Sequence, residues 1–361
     1  MNSVNLMDAS NQWATRPTDQ RFESLADLRT SVHARRMRSR SQDLDLGRVH
    51  VNVTGNGIEV NSAIAPAVPS HWAFSQLAGQ AGAPSGYLRT LPPALLADCL
   101  NHGIKAAGDS SVKFMTISNP EGDQPNTLQA VTSTTYGRIW DADCVDMVGR
   151  IQDRTGGRFF NPKAYDLRTG TIKPSGLYAS DRDVFMFMID GGSRLEVGPR
   201  AKLNRGFFVW NSETGSRSFG LMTFLFNEVC GNHIVWGAQD IRKLIIRHTS
   251  GGPSRFDTDA TPALLAYAQA SIKDDEAAIT RAVSRMLPTE AADLESLVAP
   301  FKITRAELRE AAECAKREEG QFASLWDLVQ GLTAYARGFD FVDARVELET
   351  RAGKLLELVR A

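Results

Sequence analysis

The side chains with the most chemical potential in this chain gather around one segment. Asn211, Ser212, Glu213 and Arg217 follow an aromatic run, and Asn232 and His248 lie downstream. A carboxylate and an imidazole form an acid/base pair if the fold brings Glu213 and His248 together. Arg217 suits a phosphate or a carboxylate, because its planar fork donates two parallel hydrogen bonds. The plainer alternative makes Asn211 and Ser212 turn formers, Glu213 and Arg217 a loop ion pair, and His248 the cap of a helix end.

The same region has the composition of a nucleic-acid surface. Arg194, Arg200, Lys202 and Arg205 precede Phe207, Phe208 and Trp210, which sets cations that neutralise phosphate beside ring faces on which bases stack. Plain packing competes with this reading. In a strand Phe207 and Val209 face one way and Phe208 and Trp210 the other, so at least one aromatic pair belongs to a core. A second basic cluster, Arg29, Arg35, Arg36, Arg38 and Arg40, contains no acid, and a solvated helix face is its simpler explanation.

Familiar catalytic patterns are missing from the sequence. It has no GxxxxGK[ST], no GxGxxG after a strand, no GxSxG, no HExxH and no CxxC pair. Its six histidines never stand four apart on one helix face. Asp141 and Asp143 have a spacing that suits a hard cation, but a helix cap explains them with less. No cofactor and no metal are expected.

The elements that must hold these residues can be read from periodicity. Phe207 to Trp210 and Phe219 to Phe226 are apolar runs on either side of Asn211 to Ser216, which predicts a β-hairpin with both faces covered and its polar tip presented outward. Val49, Val51 and Val53 alternate with polar residues, and Gly55-Asn56-Gly57 turns the chain into Ile58 and Val60, a second hairpin. Val112 to Ile117, Leu128 to Ile139 and Val184 to Ile189 read as strands. Ser24, Ser70 and Asp141 or Asp143 open helices as caps, Leu91-Pro92-Pro93 opens another, and Thr304 with Glu307 forms a capping box. Arg154 to Gly176 reads as a long surface loop. Gln239 to Arg247 reads as a helix with Arg242, Lys243 and Arg247 outward, and Leu264 to Met286 as one long helix in an all-helical tail.

Composition bounds the class. With 361 residues, 42% hydrophobic, 23% charged and a net charge of -1, the chain is a globular protein of the soluble kind and not a uniformly basic, histone-like binder. No window approaches the roughly 18 apolar residues of a membrane helix, and Met1 to Trp13 lacks the apolar segment of a secretory signal, so a cytoplasmic protein without a membrane partner is expected. Cys99, Cys144, Cys230 and Cys314 are scattered and read as small buried hydrophobes rather than a disulfide framework. The expected domains are 1–46, an arm and basic helix; 47–260, an α+β core; and 261–361, a helical region that mediates assembly into a homo-oligomer.

Several segments together resemble a known family. They are Trp13-Ala14-Thr15-Arg16-Pro17 with Asp19, Arg21 and Phe22; Trp72-Ala73-Phe74 with Gln76 and Leu77; Tyr87-Leu88-Arg89; Thr135-Tyr136 with Arg138; Asn211-Ser212-Glu213 with Gly215; Val229-Cys230 with Asn232; and Arg247-His248-Thr249. The chain resembles in these the phage- and plasmid-associated family called domain of unknown function nine-three-two, which carries no assigned activity. Tyr136 and Ile139 after a strand, then a helix from Asp141, more loosely resemble the phage single-strand annealing proteins of the RecT and Erf kind. The resemblance implies a mobile-element protein acting in DNA replication, recombination or defence.

The expectation is therefore an α+β protein with a central, mainly antiparallel sheet, binding single-stranded DNA. Arg35, Arg36, Arg200, Lys202, Arg205 and Arg217 would contact phosphate, Phe208 or Trp210 would stack on bases, and Asn211 would sit among them. The alternatives are an enzyme using Glu213 and His248 on a nucleotide or nucleic acid, and an oligomeric scaffold built on the tail.

Overall fold

The computed structural model describes residues 17–55, 57–108, 110–119, 125–161, 163–166, 171–174, 176–197, 201–227, 233–234, 243–336, 339 and 342–359. It is an α+β structure with two main sheets. The first region opens with helix α1 (Leu25–Arg38), capped by Ser24, whose hydroxyl accepts the Asp27 N–H at 3.1 Å. Strands β1 (Ser39–Asp45), β2 (His50–Thr54), β3 (Gly57–Asn61) and β4 (Ala67–Pro69) follow. Helices α2 (His71–Gln80), α3 (Ser85–Leu88) and α4 (Pro93–Ala106) precede β5 (Ser111–Ile117) and β6 (Asn126–Ser133). The six strands pair in the order β1-β5-β6-β4-β3-β2, antiparallel except for β4 on β6. Val51, Val60, Phe114, Leu128 and Val131 of this sheet pack on Phe74, Leu77, Leu96 and Leu100 of α2 and α4, the apolar stripes that the helical spacing puts on one face.

After α5 (Asp141–Arg154) the chain builds the second sheet from β7 (Phe159–Phe160), β10 (Leu177–Ala179), β11 (Val184–Val197), β12 (Ala201–Asn211), β13 (Phe219–Asn227), β14 (His233–Ile234) and β15 (Lys243–Ile246). Between β7 and β10, β8 (Lys163–Asp166) and β9 (Thr171–Pro174) pair only with each other. The expected surface loop over Arg154 to Gly176 thus carries three short strands. The predicted hairpin is β12 and β13, and it is central, with β11 on its other side. Both faces are covered, as the unbroken apolar runs require. Met188, Phe207, Val209, Phe219 and Leu221 share a core with Leu28 and Val32 of α1 and Val145, Val148 and Ile151 of α5. On the opposite face Tyr178, Phe185, Phe187, Phe208, Trp210, Met222 and Phe224 form an aromatic layer.

The strand expected over Leu128 to Ile139 ends at Ser133, and two further expectations fail for physical reasons. Lys243–Ile246 is a strand and not part of a helix, because β13 offers an open edge at Phe219 to Met222 and the adjacent Ile245 and Ile246 suit a pleated pairing; Gln239 to Arg242 lie outside the described residues. After the short helix α6 (Gly252–Arg255), the single helix expected over Leu264 to Met286 is two, α7 (Thr261–Gln269) and α8 (Lys273–Ser284). Arg205 takes the carbonyls of Tyr267 and Ala270 at 2.6 and 2.8 Å, which satisfies the helix end from the sheet. The tail continues through α9 (Ala291–Val298), α10 (Arg305–Glu319), α11 (Leu325–Ala336) and α12 (Val342–Leu355). The Thr304/Glu307 capping box at the start of α10 is present. Among the described residues no helix is long and apolar enough to cross a membrane.

Candidate nucleic-acid interface

The β12–β13 connection is not an outward tip. Asn211, Ser212, Glu213 and Thr214 are all buried, and only from Gly215 onward does the chain reach the surface. Burial is possible because most polar groups of this segment meet a partner, Asn211 Oδ1 being an exception. Asn211 Nδ2 donates to the Ile139 carbonyl at 2.9 Å and to Asp141 Oδ1 at 2.8 Å. Glu213 Oε2 accepts the Asp141 N–H at 3.1 Å, so the tip carboxylate caps α5, whose N-cap position holds Trp140 and has no side-chain acceptor of its own. The Thr214 carbonyl accepts from Trp72 Nε1 at 3.1 Å and Gln76 Nε2 at 2.9 Å, and Gln76 Oε1 accepts the Val131 N–H, which ties the tip to the first sheet.

Arg35 closes this buried network. Its Nη2 donates to Asp141 Oδ2 at 2.5 Å, its Nε lies 3.1 Å from Glu213 Oε1, and its Nη1 donates to the Ser180 carbonyl. One guanidinium therefore sits between two carboxylates. Burial pushes the Asp141 carboxyl well above its usual range, with the Glu213 charge adding to the shift and Arg35 opposing it. Against the cost of its own burial, the same two carboxylates hold Arg35 more firmly protonated.

Beside this plug lies a cleft of about 1160 Å³. Gly215 to Ser218 form part of its wall, together with Arg182, Lys243, Ile245, Arg247, His248 and Thr249. Four cations, Arg182, Arg217, Lys243 and Arg247, face two carboxylates, Asp181 and Asp183. Trp72, Tyr136 and the edge of Trp210 contribute aromatic surface. Arg217 Nε stands 3.6 Å from Asp183 Oδ2, and the Arg182 guanidinium lies over the Trp72 ring at 5.7 Å. His248 stacks on Tyr136 with centroids 4.9 Å apart and planes 10° off parallel. Its Nδ1 is 3.3 Å from the Ile139 nitrogen and 3.2 Å from the Gly137 carbonyl oxygen. Burial holds its pKa down to about 4, so the ring is neutral at pH 7.

The expected site residues divide accordingly. Arg217 reaches the cleft, and Arg36 is half-buried on α1. Arg35 does not offer its charge to a ligand, since two acids and a carbonyl engage it. Arg205 is 2% exposed and clamps the tail, with Asp275 Oδ2 at 3.5 Å from its Nε. Phe208 is enclosed in the aromatic layer and Trp210 is 3% exposed, so neither presents a ring face to a base. Asn211 is fully buried. Arg200 and Asn232 lie outside the described residues, as does the side chain of Lys202.

The acid/base pair is not assembled. Glu213 is below the cleft wall on the Arg35 network while His248 is on the wall, and no hydrogen bond or ion pair joins them. Asp141 and Asp143 do not converge on a cation position either, because Asp141 is buried against Arg35 and Asn211 whereas Asp143 is exposed. Among the described residues no cluster of His, Cys, Asp and Glu could hold a metal ion.

Arg182 and Trp72 were not legible as site residues. Arg182 belongs to the short Ser180 to Asp183 turn, where the Ser180 hydroxyl accepts the Arg182 and Asp183 N–H groups, and its carbonyl accepts the Ser212 hydroxyl at 2.6 Å. Asp-Arg-Asp between two apolar strands was the available signal. Trp72, Gln76, Tyr136 and Arg138 all hydrogen-bond to the carbonyls of Ser212 to Thr214, and Tyr136 stacks on His248. No family model matches the chain, and neither the curated proteins nor the solved structures contain a match to it.

Proposed function

We propose that the cleft binds single-stranded nucleic acid. The observation that supports this most is the joint presence of Arg182, Arg217, Lys243 and Arg247 with the Trp72 ring around one opening, beside the Tyr136–His248 stack. Guanidinium and ammonium groups neutralise phosphates, and an aromatic side chain accepts a base only when that base has a free face, which a duplex does not offer. The buried Arg35 network has a supporting role: it fixes the tip so that Ser216 to Ser218 form a rigid edge.

The test is fluorescence anisotropy with a labelled oligothymidylate across a salt series. If the four cations contact phosphates, the logarithm of affinity falls against the logarithm of salt with a slope between about -2 and -3, at roughly 0.7 per phosphate for single strands. R217A and K243A should each lower that slope by about 0.7. No binding above background at low ionic strength ends the reading.

A further inference from the structure

The stacking in the cleft wall does not stop at Tyr136. The Arg138 guanidinium lies 5.2 Å from the Tyr136 ring centroid and 5.5 Å from that of Trp140, and the Arg36 guanidinium lies 3.5 Å from Trp140. His248, Tyr136, Arg138, Trp140 and Arg36 thus form a continuous ladder of rings and cations from the cleft to the C-terminal end of α1.

The far end of this ladder differs from its surroundings in one respect. Other arginines of α1 are engaged: Arg29 with Asp146, Arg35 with Asp141 and Glu213, and Arg38 with the Ala34 carbonyl. The Arg36 guanidinium makes no hydrogen bond and no ion pair among the described residues, although the residue is half-buried and stacked. Arg138 is 8% exposed, and its Nη1 donates to the Glu213 carbonyl while its Nε and Nη2 have no partner. Glu213 and Asp141 act on Arg138 from the buried side, whereas on the outer side the exposed Asp143 feels Arg36 without pairing to it. Burial is what chiefly disfavours the charge on Arg138, with Arg36 adding a smaller repulsion, and an anion beside the two guanidiniums offsets that repulsion. Stacking fixes the plane of Arg36 and leaves its N–H edge available, so little order is lost when it takes a phosphate.

We propose that Arg36 and Trp140 form a second phosphate subsite, continuous with the cleft, over which a bound single strand runs after it passes Tyr136. This rests on the nucleic-acid reading of the cleft and extends it, since it gives the strand a direction across the surface and a minimum length. A short oligonucleotide fits the cleft alone, whereas a longer one reaches Arg36.

The experiment compares oligothymidylates of about 4 and about 16 nucleotides, the span of single-strand site sizes per binding module. In R36Q, the affinity for the long oligonucleotide should fall about tenfold, in the range of one lost stacking or phosphate contact, with the short one unchanged. W140A should act likewise, and R36Q guards against the case in which W140A fails to fold. K243A should weaken both lengths. If R36Q changes neither length, or weakens both alike, the second subsite is wrong while the cleft reading stands. If the wild-type protein binds neither length, the cleft reading fails and takes this proposal with it.

Discussion

Arg35 shows how a residue chosen for its charge can serve a different end. It was legible as part of a basic cluster, yet the fold brings Asp141 from α5 and Glu213 from the hairpin connection to its two sides, at separations in sequence that no spacing rule reveals. A methionine at this position leaves two carboxylates buried without a counter-charge, and the R35M variant should lose about 3–5 kcal/mol in urea denaturation. Adding E213Q to R35M should recover part of that loss, because one of the stranded charges is removed; full additivity of the two changes would show that the pair is not coupled. His248 gives a prediction of opposite origin. Its folded pKa of about 4 lies below the ordinary 6.5, so between those values the unfolded chain binds the proton and the folded chain does not. Its contribution to stability is present above pH 6.5 and is lost as the pH falls toward 4. Protonation of the raised Asp141 carboxyl works in the other sense, so the measurement is a difference: urea midpoints at pH 7 and pH 5 for wild type and for H248F, which keeps a ring against Tyr136. The drop on acidification should be smaller in H248F.

At the scale of elements, the local sequence specified most of what formed. The caps at Ser24, Ser70 and Thr304 and the alternation in β2 and β3 are short-range signals, and each element appears where its signal stands. Where the outcome differed, a long-range partner decided it. Lys243 to Ile246 pairs with β13, and the helix from Thr261 stops where Arg205 meets it. The central hairpin carries a further requirement that its apolar run does not display. Gly206 stands opposite Phe224 and Gly220 opposite Trp210, and in each pair the ring lies over the glycine. A Cβ at position 220 would come 2.0 Å from Trp210 Cζ2, and one at 206 would come 2.3 Å from Phe224 Cζ. G220A should therefore destabilise by about 1–3 kcal/mol, the usual effect of overpacking. In W210L/G220A the leucine withdraws the offending ring atoms, and the double variant should be less destabilised than the sum of the singles, as read from urea midpoints. An additive result would place the strain elsewhere.

For the whole molecule, the helical tail that follows the second sheet shares an apolar core with it. Leu195, Leu203 and Leu225 of the second sheet belong to the same apolar cluster as Ile279, Leu332 and Leu355 of the tail. The seam is also polar in a directed way: Arg205 donates to carbonyls at the C-terminal end of α7, and the Tyr267 hydroxyl donates back to the Gly206 carbonyl at 2.8 Å. Helical periodicity reports which face of a helix is buried but not which element buries it, so the sequence could not separate a docked tail from a free one. The consequence is testable by truncation. A chain ending before Thr261 would leave Arg205 without its carbonyl partners and expose the leucines of β11, β12 and β13, which together lose the apolar burial and hydrogen bonds that order that end of the sheet. It should show a broadened urea transition and bind a hydrophobic dye at neutral pH, and its affinity for oligonucleotide should fall even though the cleft residues are all present. A truncated chain that unfolds cooperatively with the wild-type midpoint would show that the tail is an independent unit, and that the shared leucine cluster contributes nothing to the sheet that carries the cleft.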